Sequence, residues 1–340
     1  HTDQWRSDGY SSDSLQSPLA EGHLKGMHTA DVVAKSTRMG WMPFYPQFDR
    51  NSLDVADLAA EGVARGEAPD EARWVADRLK SEELRFAVED VDAPENWART
   101  LVLWRSNLLG SSAKGEEYFL RHLLGTHHNV MGQDHSASRP RDVTWHEQAP
   151  EGKLDLLVSA DFRMTSSTLL SDVVFPAATW YEKHDLSSTD MHPYVHAFTP
   201  AINPPGEATT DYELFRLLSE EFSRQARTHL GVRKDLVATA LTHDTPGEIA
   251  QPGGHAPDWK HTDLPAVPGR NLPNLKVVER DYTAIGDKFS AVGPLAEQLG
   301  FTTKHITYDV SHQVDQLARL HGVFDSGAAA GRPAVDTDAR

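Results

Sequence analysis

The sequence predicts an α/β fold, a mostly parallel sheet with helices on both faces, flanked by irregular segments. Two short apolar runs, Leu154–Val158 and Val173–Phe175, have the length of buried strands, with little room for a helix between them. A third run, Leu101–Trp104, leads through a small-residue loop into a helical pattern with Phe119, Leu120, Leu123 and Leu124 as its stripe. Near-continuous apolar strands alternating with helices indicate a parallel sheet covered on both faces. The strand–loop–helix order of 101–124 is echoed at 154–171, and no other internal repeat is present.

Taken in order, residues 1–52 are rich in Ser, Asp, Gly and Trp, with weak periodicity. A short helix is expected to end near Gly40, followed by an extended aromatic stretch punctuated by Pro43 and Pro46. Trp41, Phe44, Tyr45 and Phe48 there read as core or interface aromatics in preference to channel lining. Residues 53–90 read as two helices, the second carrying Trp74, Val75 and Leu79 at helical spacing. Past the strand at 101–104, the loop GSSAKG fails the ATP-binding P-loop pattern, since no Gly-Lys-Ser/Thr follows at the required spacing. Ser111 or Ser112 is expected to cap the next helix, whose first amides are able to face a phosphate. Pro204, Pro205 and Gly206 mark a turn, and Thr210 or Asp211 then caps a helix with Leu214, Leu217, Leu218 and Phe222 at helical spacing. Beyond Thr242 the chain is dense in Pro, Gly, His and Asp, which suggests a long ordered excursion or a subunit contact. Val277–Asp281 reads as a strand, Phe289–Leu299 and Val310–Leu320 as helices, and the tail as mobile. The expected organisation is a flanking helical and irregular segment at 1–95, an α/β nucleotide-binding domain at 96–235, and an irregular and helical segment at 236–340.

Composition narrows the function classes. A net charge of −17 argues against nucleic acid as a partner. No run approaches the length of a transmembrane helix. With no cysteine in 340 residues, disulfides, thiolate zinc sites and a cysteine-ligated iron–sulfur cluster are excluded within the chain. The opening HTDQWRSDGYSS has neither an initiator Met nor a signal pattern, so an internal fragment is expected. His127, His128, His135 and His146 lie in a polar connector without regular ligand spacing, and Pro193 spoils the helical spacing of His192 and His196. No metal ligand and no catalytic residue is assigned.

In open α/β sheets ligands sit beyond the carboxyl ends of the strands. Those ends carry Arg105, Ser106 and Asn107 after one strand and Asp161, Arg163 and Thr165 after another. An ionised carboxylate accepts the two parallel donors of a guanine edge in a fork, which suits Asp161. A pyrophosphate needs donors and positive charge: Ser106, Asn107, Ser111, Thr165 and Ser167 offer the first, Arg105, Lys114 and Arg163 the second. Ser and Thr at helix starts are more often caps, whereas for Asn107 and Asp161 the ligand role is preferred.

The stretches WRSNLLGSSAKG and ADFRMTSSTLLSDVVFPAATWYEKHDLSSTDMHP resemble the catalytic (alpha) subunits of respiratory, membrane-bound nitrate reductases, a branch of the molybdopterin oxidoreductases. The resemblance extends through WRSDGYSSDSLQSPLA, HDTPGEIAQPGG and VVERDYTAIGDKFSAVGPL, so most of the chain takes part. It implies a molybdenum bis(molybdopterin guanine dinucleotide) cofactor, with 96–235 as one of its dinucleotide-binding domains. It adds Trp104 and Lys183 to the cofactor-binding residues and places Asp211 near the pterin, so that Asp211 is read equally as cap and as ligand. Trp180, Glu182, Lys183, His184, Asp185, Asp190 and His192 match the segment that runs back toward the metal, and His184 stands where relatives carry an acidic residue. Such subunits take an oxygen atom from nitrate at molybdenum, in anaerobic respiration or nitrate assimilation. The implied partners are an iron–sulfur beta subunit and a membrane haem-b gamma subunit, at the cytoplasmic face of the membrane. The metal ligand and the iron–sulfur cluster of the family belong to an earlier segment, so this chain alone is expected to be inactive. Two other readings stand beside this one: another molybdopterin enzyme of selenate, chlorate or formate type, and a non-catalytic nucleotide-binding module.

Overall fold

The computed structural model describes residues 26–41, 47–111, 115–127, 129, 139–239, 258–290, 300–303 and 306–309. Two compact units interleave along the chain: His1–Leu101 with Asn107–Leu157 and Arg233–Arg280, and Val102–Ser106 with Val158–Val232 and Asp281–Arg340.

The first unit is built on α1 (Thr29–Arg38), α2 (Ser52–Ala64) and α3 (Glu71–Lys80). Each begins where a side chain takes up a free amide: His28 Nδ1 accepts from Ala30, Asn51 Oδ1 from Leu53, and Asp70 Oδ1 from Arg73. α1 ends at Gly40, whose φ of 73° reverses the chain without strain, as expected. Ala34, Val55, Ala59, Trp74, Val75 and Leu79 meet in one core with Phe48 and Phe86, whose rings stack 5.5 Å apart. Phe48 is thus a core aromatic, while Phe44 and Tyr45 lie outside the described residues. β6 (Val232–Thr239) and β7 (Asn274–Asp281) form a two-stranded sheet. The strand expected at Val277–Asp281 therefore starts earlier, and its partner was not anticipated.

The parallel sheet runs β1 (Thr100–Trp104), β2 (Leu156–Asp161), β3 (Val173–Pro176), in that order. The expected α/β class and the neighbouring parallel strands are both present. β2 lies two residues later than the apolar run Leu154–Val158, because Asp155 and Leu156 first bond the Arg99 carbonyl. β2 and β3 pair in parallel, with Val158 opposite Val173 and Ala160 opposite Phe175. The pattern after β1 resolves into α4 (Leu108–Ser111) and a wide turn of π-helix at Tyr118–Leu123, in which Phe119, His122 and Leu123 are buried.

β4 (Asp185–Thr189) and β5 (His192–Phe198) form an antiparallel hairpin, so His192 and His196 lie on a strand. α5 (Asp211–His229) and α6 (Ile285–Ser290) follow. α5 corrects an expectation: Leu217, Leu218 and Phe222 are exposed, while Ser219, Ser223 and Ala226 are buried. The cause is the close approach of α6, where a methyl on Gly286 would lie 3.0 Å from the Glu220 Cα. The Gly286 amide donates to Ser223 Oγ at 2.8 Å, a contact that larger side chains would prevent. A short hairpin, β8 (Phe301–Thr303) with β9 (Ile306–Tyr308), completes the described residues, while 291–299 and 310–320 lie outside them.

Candidate functional site

The carboxyl ends of the strands come together within the second unit. The Arg105 amide donates to the Ala160 carbonyl at 2.9 Å, which sets the end of β1 beside the end of β2. The Ala177 amide bonds the Asp161 carbonyl at 3.0 Å, and Ala178 bonds Thr209, which brings the start of α5 alongside β3. Thr210 is the cap of α5, its Oγ accepting from Glu213. Asp211 is thereby released from capping, and its carboxylate turns to side chains.

Three of the residues singled out from the sequence converge on that carboxylate. Trp104 Nε1 donates to Asp211 Oδ1 at 2.9 Å and Arg105 Nε to the same oxygen at 3.1 Å. Arg105 Nη2 and Lys183 Nζ reach Oδ2, the lysine at 2.9 Å. Lys183 is buried and also pairs with Asp185 at 2.6 Å. Burial alone would raise the Asp211 pKa, but the bonds from Trp104, Lys183 and Arg105 outweigh it and hold the carboxyl below its usual range. Asp185 is likewise held low, burial being outweighed by Lys183, the Leu186 amide and Arg105. Arg105 has a φ of 53°, a left-handed conformation rare outside glycine. Backbone strain of this kind is kept where the surroundings over-determine it, here by the two-pronged Arg105–Asp211 pair.

Asp161 contrasts with Asp211. The residue is 9% exposed, and among the described residues the hydrogen bond its carboxylate accepts is a long one, 3.3 Å from the Arg163 amide. Most of its acceptor capacity is unused. Arg163 is exposed, its guanidinium 5.3 Å from the Phe162 ring centroid. Thr165 organises the turn after β2: its Oγ1 accepts from Thr168 N at 3.2 Å, while its own amide donates to Thr168 Oγ1. Ser167 is fully buried within that turn. Ser106 is half-buried between Arg105 and Asn107. Asn107 Oδ1 accepts from Gly110 N at 3.1 Å and so caps α4, while Ser111, expected to cap the helix carrying Phe119, ends α4 with its Oγ donating back to the Asn107 carbonyl. Among the described residues no side chain caps the π-helical turn, and Ser112 lies outside them. Lys114 lies outside the described residues. The segment after β3 adds Trp180, whose ring packs 5.4 Å from Phe162, and Glu182, which accepts from the Thr179 amide.

Two features were not read from the sequence: Asp185 as a second partner of Lys183, and Phe215 edge-on to Trp104 at 5.3 Å. The first had a local signal, an acid two residues past a lysine at the start of a strand. The second had none, because 215 and 104 are brought together only by the fold. Among the described residues, no group of three or more His, Asp and Glu side chains is arranged to hold a metal ion.

This geometry, an acidic and cationic cluster at the carboxyl end of a parallel sheet, lies in the part of the chain that matches a known family. Residues 96–221 match the family model described as Molybdopterin oxidoreductase, so this segment is similar to that family. The family implies a molybdenum–pterin cofactor. Over its whole length the chain is similar to nitrate reductase alpha subunits. It is 55% identical to the one from Mycobacterium tuberculosis, an alignment that takes in 100% of this chain and 27% of the relative. The Bacillus subtilis alpha chain is 44% identical over 97% of this chain, and respiratory nitrate reductase 2 alpha chain of Escherichia coli 42% identical over 99%. The chain spans 27% of the length of each of these relatives.

Proposed function

We propose that this chain forms part of the catalytic subunit of a molybdenum nitrate reductase, contributing one guanine-dinucleotide-binding domain of a bis(molybdopterin guanine dinucleotide) cofactor. The observation that carries it is Asp161: a buried carboxylate with unspent acceptors at the carboxyl end of a parallel strand. A group with two parallel donors, such as a guanine edge, suits the two oxygens of that carboxylate. Arg105 and Arg163 supply cationic charge for phosphates, and Ser106, Asn107, Ser111, Thr165 and Ser167 stand in the two loops that would take them, with Lys114 in the same loop sequence. Trp104 and Lys183 act through Asp211, which fixes the indole and both cations in one arrangement before any ligand arrives. Preorganisation of this kind lowers the ordering cost of binding.

When bound, molybdenum–pterin would supply the redox chemistry, two-electron removal of an oxygen atom from nitrate to leave nitrite, and the protein would supply position and electrostatics. In this reading the chain works with an iron–sulfur beta subunit and a haem-b gamma subunit, and is held peripherally at the cytoplasmic face of the membrane through them. None of the described helices is long and apolar enough to cross a membrane itself.

The test is a chimera in which this chain replaces the aligned segment of the Mycobacterium tuberculosis alpha subunit. It is expected to hold molybdenum and guanine and to oxidise reduced viologen with nitrate. Retention of molybdenum with turnover of selenate or chlorate but not nitrate would assign the chain to another branch, and loss of guanine would overturn the dinucleotide assignment.

A further inference from the structure

Among the described residues, one face of the parallel sheet presents large apolar side chains that are 39–54% exposed around the buried Ala160. The amides of Leu156 and Arg105 bond the carbonyls of Arg99 and Ala160, the same offset at both ends of the β1–β2 pair. That register sets Val102 beside Val158 and Trp104 beside Ala160. β3 continues both rows, with Val173 opposite Val158 and Phe175 opposite Ala160. Side chains of paired residues share a face, so Val102–Val158–Val173 and Trp104–Ala160–Phe175 form two adjacent apolar rows. The alternate residues Leu103 and Ser159, on the opposite face, are buried at 5% and 1% exposure. On the two-row face Val102 is 50% exposed, Trp104 54%, and Val173 and Phe175 39% each. Among the described residues, α5 meets this face at Trp104, through Phe215 and Asp211.

The geometry points to this face as a docking surface for an apolar helix from further polypeptide of the same subunit. Parallel sheets of this kind are covered on both faces, and their strands carry apolar residues on both for that reason. Polypeptide to do this exists in the relatives, since this chain accounts for 27% of the length of the one from Mycobacterium tuberculosis. The rows contain no charged residue, so the complementary surface is a stripe of aliphatic side chains at helical spacing. The inference rests on the reading of the chain as part of an alpha subunit, and it is tested at Val102 and Val173, which lie outside the cofactor site.

The absence of native cysteine makes the test direct. Val102→Cys and Val173→Cys, changes that preserve small apolar bulk, are made singly in the chain and in the chimera described above. Maleimide labelling is read on the peptide by mass spectrometry and scaled to the rate after denaturation. Both sites are expected to label at least tenfold more slowly in the chimera than in the isolated chain. Equal rates in the two contexts would overturn the inference, as would slow labelling in the isolated chain together with a dimeric mass in solution, which would make a second copy the occupant. Should the chimera not assemble, the same substitutions at the aligned positions of the Mycobacterium tuberculosis subunit give the answer, rapid labelling there overturning it. Nitrite formation is measured alongside: protection without nitrate turnover would sink the functional reading and keep the docking face, and turnover without protection the reverse.

Discussion

Arg105 adopts a left-handed backbone at φ 53° while its guanidinium grips Asp211. For an L-residue that conformation costs about 1–2 kcal/mol. Arg105→Gly and Arg105→Ala both remove the ion pair, but only glycine relieves the backbone. The glycine variant is therefore expected to be the more stable of the two by about 1 kcal/mol in urea unfolding. Equal stabilities would mean that the strain is absent. Asp211 sets a second expectation. Its folded pKa, like that of Asp185, lies below the unfolded value of about 3.9, so the cluster contributes stability that is present above roughly pH 5. That contribution disappears as pH falls through the depressed folded pKa. Asp211→Asn should be less stable than the parent at neutral pH, and the gap should close on acidification; a gap independent of pH would refute the linkage. Part of this site was legible in the sequence, because Arg105 and Asp161 stand at the ends of apolar runs that read as strands, while Trp104 and Lys183 came from the family resemblance. The convergence on Asp211 was not legible, since Thr210 and Asp211 are equally good caps by type. Only the Thr210 bond to Glu213 decides between them.

Elements were readable where local signals and packing agreed. α2 and α3 have polar caps, helical spacing and a shared core, and both appear where expected. α5 has equally clear spacing, yet it buries its serines because Gly286 lets α6 approach so closely. No periodicity reveals which stripe a neighbour will choose. β6 went unread for a related reason: its exposed and half-buried residues give no continuous apolar run. Between α2 and α3 the packing makes a further expectation. A methyl on Gly62 would lie 2.0 Å from Trp74 Nε1, whose indole bonds Glu67 at 2.8 Å. Alanine is the better helix former by about 1 kcal/mol. Overpacking costs about 1–3 kcal/mol, and here it also displaces a hydrogen-bonded ring. Gly62→Ala is thus expected to lower stability on balance, as a decrease in the denaturation midpoint, and a rise would show that Trp74 moves aside freely.

At the scale of the whole molecule, the class of fold and the family segment were legible, while the cover of the sheet was not, since a sequence shows apolar runs but not what packs on them. The isolated chain is expected to form no nitrite from nitrate with reduced viologen, even when supplied with molybdenum, because it contains no cysteine to hold an iron–sulfur electron entry. Nitrite production by the purified chain would contradict this. The central claim is that Asp161 holds the guanine end of the cofactor, and it is tested most directly by guanine and molybdenum content per subunit in the chimera carrying Asp161→Ala or Asp161→Asn. Loss of two charge-assisted bonds should weaken retention by about 2–5 kcal/mol in the alanine variant. The asparagine variant should also lose guanine, because an amide offers one acceptor where the fork needs two. Stability of the cofactor-free protein should change little. Full guanine and molybdenum content in Asp161→Ala, together with a destabilised cofactor-free protein, would contradict the account and make Asp161 a structural residue.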